Sequence, residues 1–440
     1  MKIAASIFSL LLAFFMSAGL MAQPVNGQAA EGVLGQTDFI SPLSGLSASK
    51  FNGPNGVFYH NATGKLYVAD RGNHRVLRWN SVNAYINGSD AEAVFGQPDF
   101  TTGTSGLAAN KMNNPISVLV DNNGSLWVSE YTNNRVLRFD SAATKLSGAN
   151  ADGVLGQPDF ITGTGATTQD KLNGPAGIFM DGNGTLWVSN FNNHRVTKYL
   201  NAASKPNGAP ADGVLGQPDF ITSSSGLSAT KMNNANGVYM DAQGRLWVSE
   251  FTNRRVLRFD DAANKPNGAA ADAVLGQPDF TTNTSNTTQN GFGNVRYVTG
   301  DANGNLYVVQ ESNNRLFIFL NAATLPNGAN ADIVLGQPDF LTGTGLNPPT
   351  ENSLRTPRAA FVDNVAGKLW VADWANNRLL RYNVSGIIPV ELTSLSCIQV
   401  PEGIQINWST ASEINNYGFE VQKRTGNQEF SAIGFVNGNG

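Results

Sequence analysis

Six oxygen-bearing side chains recur about every sixty residues: Asp70, Glu130, Asn190, Glu250, Gln310 and Asp373. An arginine follows each at the same distance, at Arg75, Arg135, Arg195, Arg255, Arg315 and Arg378. A ring of carboxylates and amides supports two kinds of chemistry. It can accept hydrogen bonds from guanidinium groups and so tie a loop to a strand. It can also present oxygens to a hard cation such as Ca2+. The regular arginine partner makes the first the leading expectation.

A second column breaks the regularity. It reads Asn55, Ile116, Ala176, Asn236, Arg296 and Arg358. Lys50, Lys111, Lys171 and Lys231 stand upstream in the first four copies, whereas the last two have Gly291 and Ser353. Two neighbouring copies therefore aim guanidinium groups at one sector, where a carboxylate or phosphate is a fitting guest. Aromatic residues follow the oxygen column at Tyr131, Phe191, Phe251 and Trp374. They suit stacking against a sugar or peptide, or packing under long loops. The expected ligand-binding set is thus Arg296, Arg358, Asn55, Asn236, Tyr131, Phe191, Phe251 and Trp374.

No hydrolase or phosphate-binding motif appears: there is no HExxH, CxxC, GxSxG or GxxxxGK[ST]. His74 and His194 share a repeat position but belong to non-adjacent copies, and His60 falls elsewhere. A shared histidine metal site is not expected. The turns of the type Asp181-Gly-Asn183-Gly lack the Glu that completes an EF-hand loop.

The elements that position these residues are written in the repeat. VLGQPDF occupies 154–160, 214–220, 274–280 and 334–340, with near-copies at 33–39 and 94–100. Each copy continues through a long polar loop into apolar stretches such as GIFM, LWV and RVTKYL, separated by DGNG and KPNG. Short β-branched and aromatic runs between turn residues are strand signals. Each unit is expected to be a four-stranded antiparallel meander, with DGNG and KPNG as tight turns. The loops after VLG and after LWV then share one face, and long loops commonly carry function.

The pattern Pro-x-Gly-Val-x-x-Asp, Gly-x-Leu-x-Val and Asn-x-Arg-Val in these units resembles the NHL repeat. The resemblance spans about 54–383. It implies a six-bladed β-propeller, an all-β fold in which radial repetition limits exposed sheet edges. A VLGQ strand precedes the first blade, and none follows the last. Residues 33–39 are therefore expected to complete blade six as its outermost strand within a propeller at 33–384. The aromatic column Tyr67, Trp127, Trp187, Trp247, Tyr307 and Trp370 reads as core. The phenylalanines of the strict phrase are expected to tuck between blades.

Charged residues make up only 14% of the chain, and the net charge of −4 gives no basic field for nucleic acid. Residues 1–22 read as a secretory signal: Lys2, an apolar run from Ile7 to Phe15, and small residues up to Ala22. Residues 23–32 form an N-terminal segment. No membrane span is expected. Cys397 is the only cysteine, so no internal disulfide forms, and its alternating apolar setting suits a buried strand thiol. After Val384 the period stops. The wording PVELTSLS…INWSTASEINNYGFEVQKR resembles the fibronectin type III-like domain of type IX secretion cargo. Residues 385–440 are read as the start of such a domain, a partial β-sandwich that ends before its full strand set.

The leading expectation is a secreted or cell-surface, monomeric, non-catalytic propeller. It binds a protein, peptide or glycan on its long-loop face and needs no cofactor. Lactonase-like propellers carry a divalent cation in the channel. By that resemblance, a metal-dependent hydrolase using Glu130, Asn190, Asn236 and Glu250 with Ca2+ is the alternative. A purely structural surface module is the third.

Overall fold

The computed structural model describes residues 24–385, 390–401, 403–413, 418–423 and 431–437. The expected signal at 1–22 lies outside the described residues. Among those described, six four-stranded antiparallel sheets form the propeller, within a compact unit Val25–Asn383. Blade one runs outward through strands Pro54–His60, Lys65–Asp70, Arg75–Trp79 and Ala93–Phe95. The next four blades repeat this order. Inner strands contact their neighbours around the ring, and the first blade meets the sixth.

Blade six is assembled from both ends of the chain. Strands Pro357–Asp363, Lys368–Asp373 and Arg378–Asn383 receive Gly32–Leu34 as their outermost strand, with Val33 opposite Leu380. The expected closure is therefore present. The closure also extends further than the phrase suggested. The backbone N–H of Val334 donates to Asn26 Oδ1 at 3.0 Å, and Gly27 N–H donates to the Val334 carbonyl at 2.9 Å. Asn207 and Gly208 make the same pair of bonds to Val154. Residues 25–31 are thus the third-to-outer-strand connector of blade six, not a separate N-terminal segment. Glu31 adds ion pairs to Arg381 at 2.8 Å and Lys368 at 2.9 Å. The KPNG connections are also longer than tight turns. In blade three the third strand ends at Tyr199 and the outer strand starts at Gly213, because the connector reaches over the preceding blade.

Packing follows from strands buried on both faces. Tyr67, Ala69 and Val76 of blade one meet Leu126, Val128 and Leu137 of blade two in one apolar cluster. The aromatic column is at most 2% exposed throughout, as core residues should be. Burying each large apolar side chain is worth about 1.5–3 kcal/mol, so the inter-blade seams hold the ring. No helix among the described residues is long and apolar enough to cross a membrane.

The C-terminal residues fall in a separate unit. Val390–Val400 pairs with Gly403–Glu413, and Gly418–Lys423 pairs with Ser431–Asn437, each antiparallel. Cys397 lies on the first of these strands; its side chain lies outside what is described.

Candidate functional site

The oxygen column and its arginines are structural. Asp70 and Arg75 are both fully buried and paired at 2.8 Å. Arg75 Nη1 donates to the Phe100 carbonyl at 2.6 Å, and Nη2 donates to Ser47 O and Lys50 O at 2.8 and 3.0 Å. One guanidinium thereby fastens the long loop entering the blade to the one leaving it. The remaining five arginines repeat this bond, donating to the carbonyls of Phe160, Phe220, Phe280, Phe340 and Phe39. The last of these joins the two chain ends a second time.

The strict phrase supplies the rest of the joint. Each glutamine donates from its amide across the loop, as Gln97 does to His74 O and Thr104 O, both at 2.9 Å. Each aspartate caps the next backbone N–H groups; Asp99 accepts from Thr101 and Thr102 at 2.8 and 2.7 Å. Those bonds hold its carboxyl below the usual range. The phrase phenylalanines Phe100, Phe160, Phe220, Phe280 and Phe340 are half-buried against the apolar clusters. Gly276 has φ +84, and a Cβ there would lie 1.9 Å from the Phe292 ring, so only glycine fits. Lys50, Lys171 and Lys231 donate to the phrase glutamines at 2.9, 3.2 and 3.3 Å, so they too belong to the scaffold.

Both carboxylates of the metal alternative are already engaged. Glu130 and Glu250 lie in non-adjacent blades, fully buried, each paired with its own arginine and asparagine. Burial raises both carboxyls despite the arginines. Asn190 is buried beside Thr197, and Asn236 faces Arg296 instead. Among the described residues no group of three His, Cys, Asp or Glu side chains is positioned to hold a metal ion. Blade three lacks a carboxylate: Asn190 Oδ1 and Arg195 Nε are both buried without a partner.

The residues expected to bind a ligand, Asn55 apart, form one connected group on the long-loop face. Arg296 stacks its guanidinium 4.0 Å from the centre of the Phe251 ring, and Arg358 sits 4.7 Å from that of Trp374. Tyr131, Phe191 and Phe251 form an arc with ring centres 6.0 and 5.9 Å apart. Asn236 accepts from Arg296 Nη1 and donates to Arg296 O, both at 3.1 Å. Asn55 is buried in the same column of blade one.

Two further residues join the set: Glu311 and Arg71. Glu311 pairs with Arg296 through Nε and with Arg358 Nη2 at 3.2 Å. Both belong to the column that carries Tyr131, Phe191, Phe251 and Trp374, so reading that column through all six blades finds them. Two arginines thus pair with one carboxylate, and Arg71 lies within its electrostatic reach. Arg358 is only 8% exposed, and its Nε has no partner. Burial, followed by repulsion from Arg296, pulls the Arg358 guanidinium down to about 9. It remains charged at neutral pH, buried beside other guanidinium groups. Burial and Arg296 likewise lower Arg71. The arrangement is short of negative charge and walled by flat apolar rings.

The NHL repeat pattern matches residues 51–79 and 172–199, within blades one and three. The chain carries NHL repeats. The six blades are its propeller. Comparison with curated proteins returns no match. Similar solved structures include a virginiamycin B lyase from Staphylococcus aureus, at 12% identity and TM-score 0.43, covering 75% of this chain and 94% of that one. A streptogramin B lyase is 15% identical with TM-score 0.45, covering 80% and 98%. A gluconolactonase from Xanthomonas campestris is 14% identical with TM-score 0.45, covering 82% and 97%.

Proposed function

We propose that this NHL-repeat propeller is a non-catalytic binding module that captures a carboxylate-bearing partner at the mouth of its long-loop face. The observation that carries this reading is the buried Arg358, with an unpartnered Nε, beside Arg296 and Arg71, where Glu311 is the opposing charge among the described residues. A carboxylate supplies the missing charge and accepts paired N–H bonds. The Phe191–Phe251 arc and Trp374 offer flat faces to the apolar side of a sugar or peptide. An acidic peptide side chain and a uronic acid residue share that chemistry.

Export to the cell surface or medium fits this role, through the signal at 1–22 and a type IX-like C-terminal module from 385 onward. An array printed with acidic peptides and acidic oligosaccharides, each beside its amide or neutral counterpart, tests the reading. Acid-dependent capture that falls at least about tenfold in R358Q supports it. Equal capture of acid and neutral forms contradicts it.

A further inference from the structure

The channel has a second chamber at its other end. A cavity of about 460 Å³ lies toward the inner hairpins, within the size range of small-molecule sites. Its aromatic wall is one column of the inner strands: Phe58, Leu119, Phe179, Tyr239, Thr299 and Phe361. Five of these six side chains are large. Blade five departs with Thr299-Gly300, where blade one has Phe58-Tyr59 and blade six has Phe361-Val362. The Tyr239 ring fills the space at Gly300, since a Cβ there would lie 2.4 Å from it. The room left by the short Thr299 remains part of the cavity.

Blade five also provides the floor. Tyr297 stands where the other blades have Gly56, Ser117, Gly177, Gly237 and Ala359. Its hydroxyl reaches Ser117 Oγ of the opposite blade at 3.4 Å. The tyrosine therefore crosses the channel between this chamber and the arginine mouth. The outer rim is formed by exposed hairpin residues such as Asn61, Asn122 and Asn364, so the chamber faces solvent at that end.

The rim has the charge opposite to the mouth. Asp121, Asp181 and Asp301 line the cavity. They are fixed in place: Asp121 accepts from the backbone of Asn123 and Ser125 at 2.9 Å each and from Trp127 Nε1 at 2.8 Å. Asp241 and Asp363 occupy the same column, and Arg245 pairs with Asp241 at 2.7 Å. Asp121 and Asp301 are buried with both oxygens accepting such bonds, so their charge draws an entering cation through space, alongside the aromatic rings.

We propose that this cavity is a second ligand site, separate from the mouth, for an organic cation with a flat aromatic body. Its ammonium group rests at the Asp121–Asp181–Asp301 rim, and its ring lies against Phe58, Phe179 and Phe361. Calorimetric titration of the full chain with tryptamine, and with indole-3-propionate as the acid of similar shape, tests it. Tryptamine is expected to bind at least about tenfold more tightly than the acid. T299F restores the large residue that blades one, three and six carry, so the fold should accept it, and it should abolish tryptamine binding. L119F fills the cavity from the opposite blade and provides a second reading should T299F fold poorly. R358Q, at the mouth, should leave tryptamine binding unchanged. No tryptamine binding at millimolar concentration, equal affinity for the acid, or full binding by both filled variants would overturn the proposal.

Discussion

Asp70 and Arg71 are neighbours in the chain and belong to different parts of the molecule. The column of Asp70 is sealed, and its arginine partners recur in all six blades with the same bond to a phrase carbonyl. The column of Arg71 reads Arg71, Tyr131, Phe191, Phe251, Glu311 and Trp374, half-buried at every position. Repetition marks what six identical joints require. Variation one residue away marks what the propeller does not need in order to close. If the second column binds as proposed, variants in the first should lower stability and variants in the second should lower capture.

The largest effect is expected at the ring closure. Deleting residues 24–34 removes an outer strand, its connector and the Glu31 ion pairs together. The cooperative thermal transition should be lost, and a truncated chain melting at the original temperature would refute the closure. Within the joints, R135A strands the fully buried Glu130, a class of change that costs about 3–5 kcal/mol. R195A should cost less, because Asn190 carries no charge to strand and already leaves Arg195 Nε unpartnered. Chemical denaturation of the two variants side by side measures the difference, and equal losses would contradict the assignment.

Much of this division was legible in the letters. Six strands of each kind, the closing strand and the buried aromatic column follow from apolar spacing and turn residues, because a repeated seam demands repeated side chains. The connector at 25–31 was equally written, since VNGQAAEGVLGQ parallels PNGAPADGVLGQ, but the strict phrase that marks the repeat begins only after it. At the mouth, Arg296 and Arg358 stood out as exceptions. Glu311 and Arg71 did not, because they are the charged members of a column that is otherwise aromatic. That one carboxylate would bridge two arginines depends on side-chain reach across blades five and six, which spacing does not encode. The lower cavity depends on the absence of a large side chain at Thr299, visible only once the column is known to face the channel.

A smaller effect comes from two histidines that replace asparagine in a joint. His74 Nδ1 accepts from Asn114 N–H at 3.2 Å, and His194 Nδ1 accepts from Asn234 N–H at 3.0 Å. Asn134 Oδ1 does the same for Gly174 at 2.8 Å. Burial lowers both histidines, and Arg71 adds to the effect at His74. The unfolded chain then binds protons more readily than the folded one. The stability contributed is therefore full above the unfolded histidine value, about 6.5, and is lost as pH falls through the lower folded values. The melting temperature should drop on acidification below that point. The H74N/H194N double variant should show a flatter profile, since asparagine accepts the same bond and tolerates the left-handed backbone there. An unchanged slope would remove the histidines from this role.

The most direct test rewrites the exceptional sector in the molecule's own pattern. The triple variant R296N, E311F and R358N gives the mouth the residues blade four carries at Asn236 and Phe251. Its thermal transition and its capture of an acidic ligand from the array should be measured on the same sample. The melting temperature should be unchanged and acid-dependent capture lost. Retained capture, or a collapse of the fold, would contradict the separation of scaffold from site.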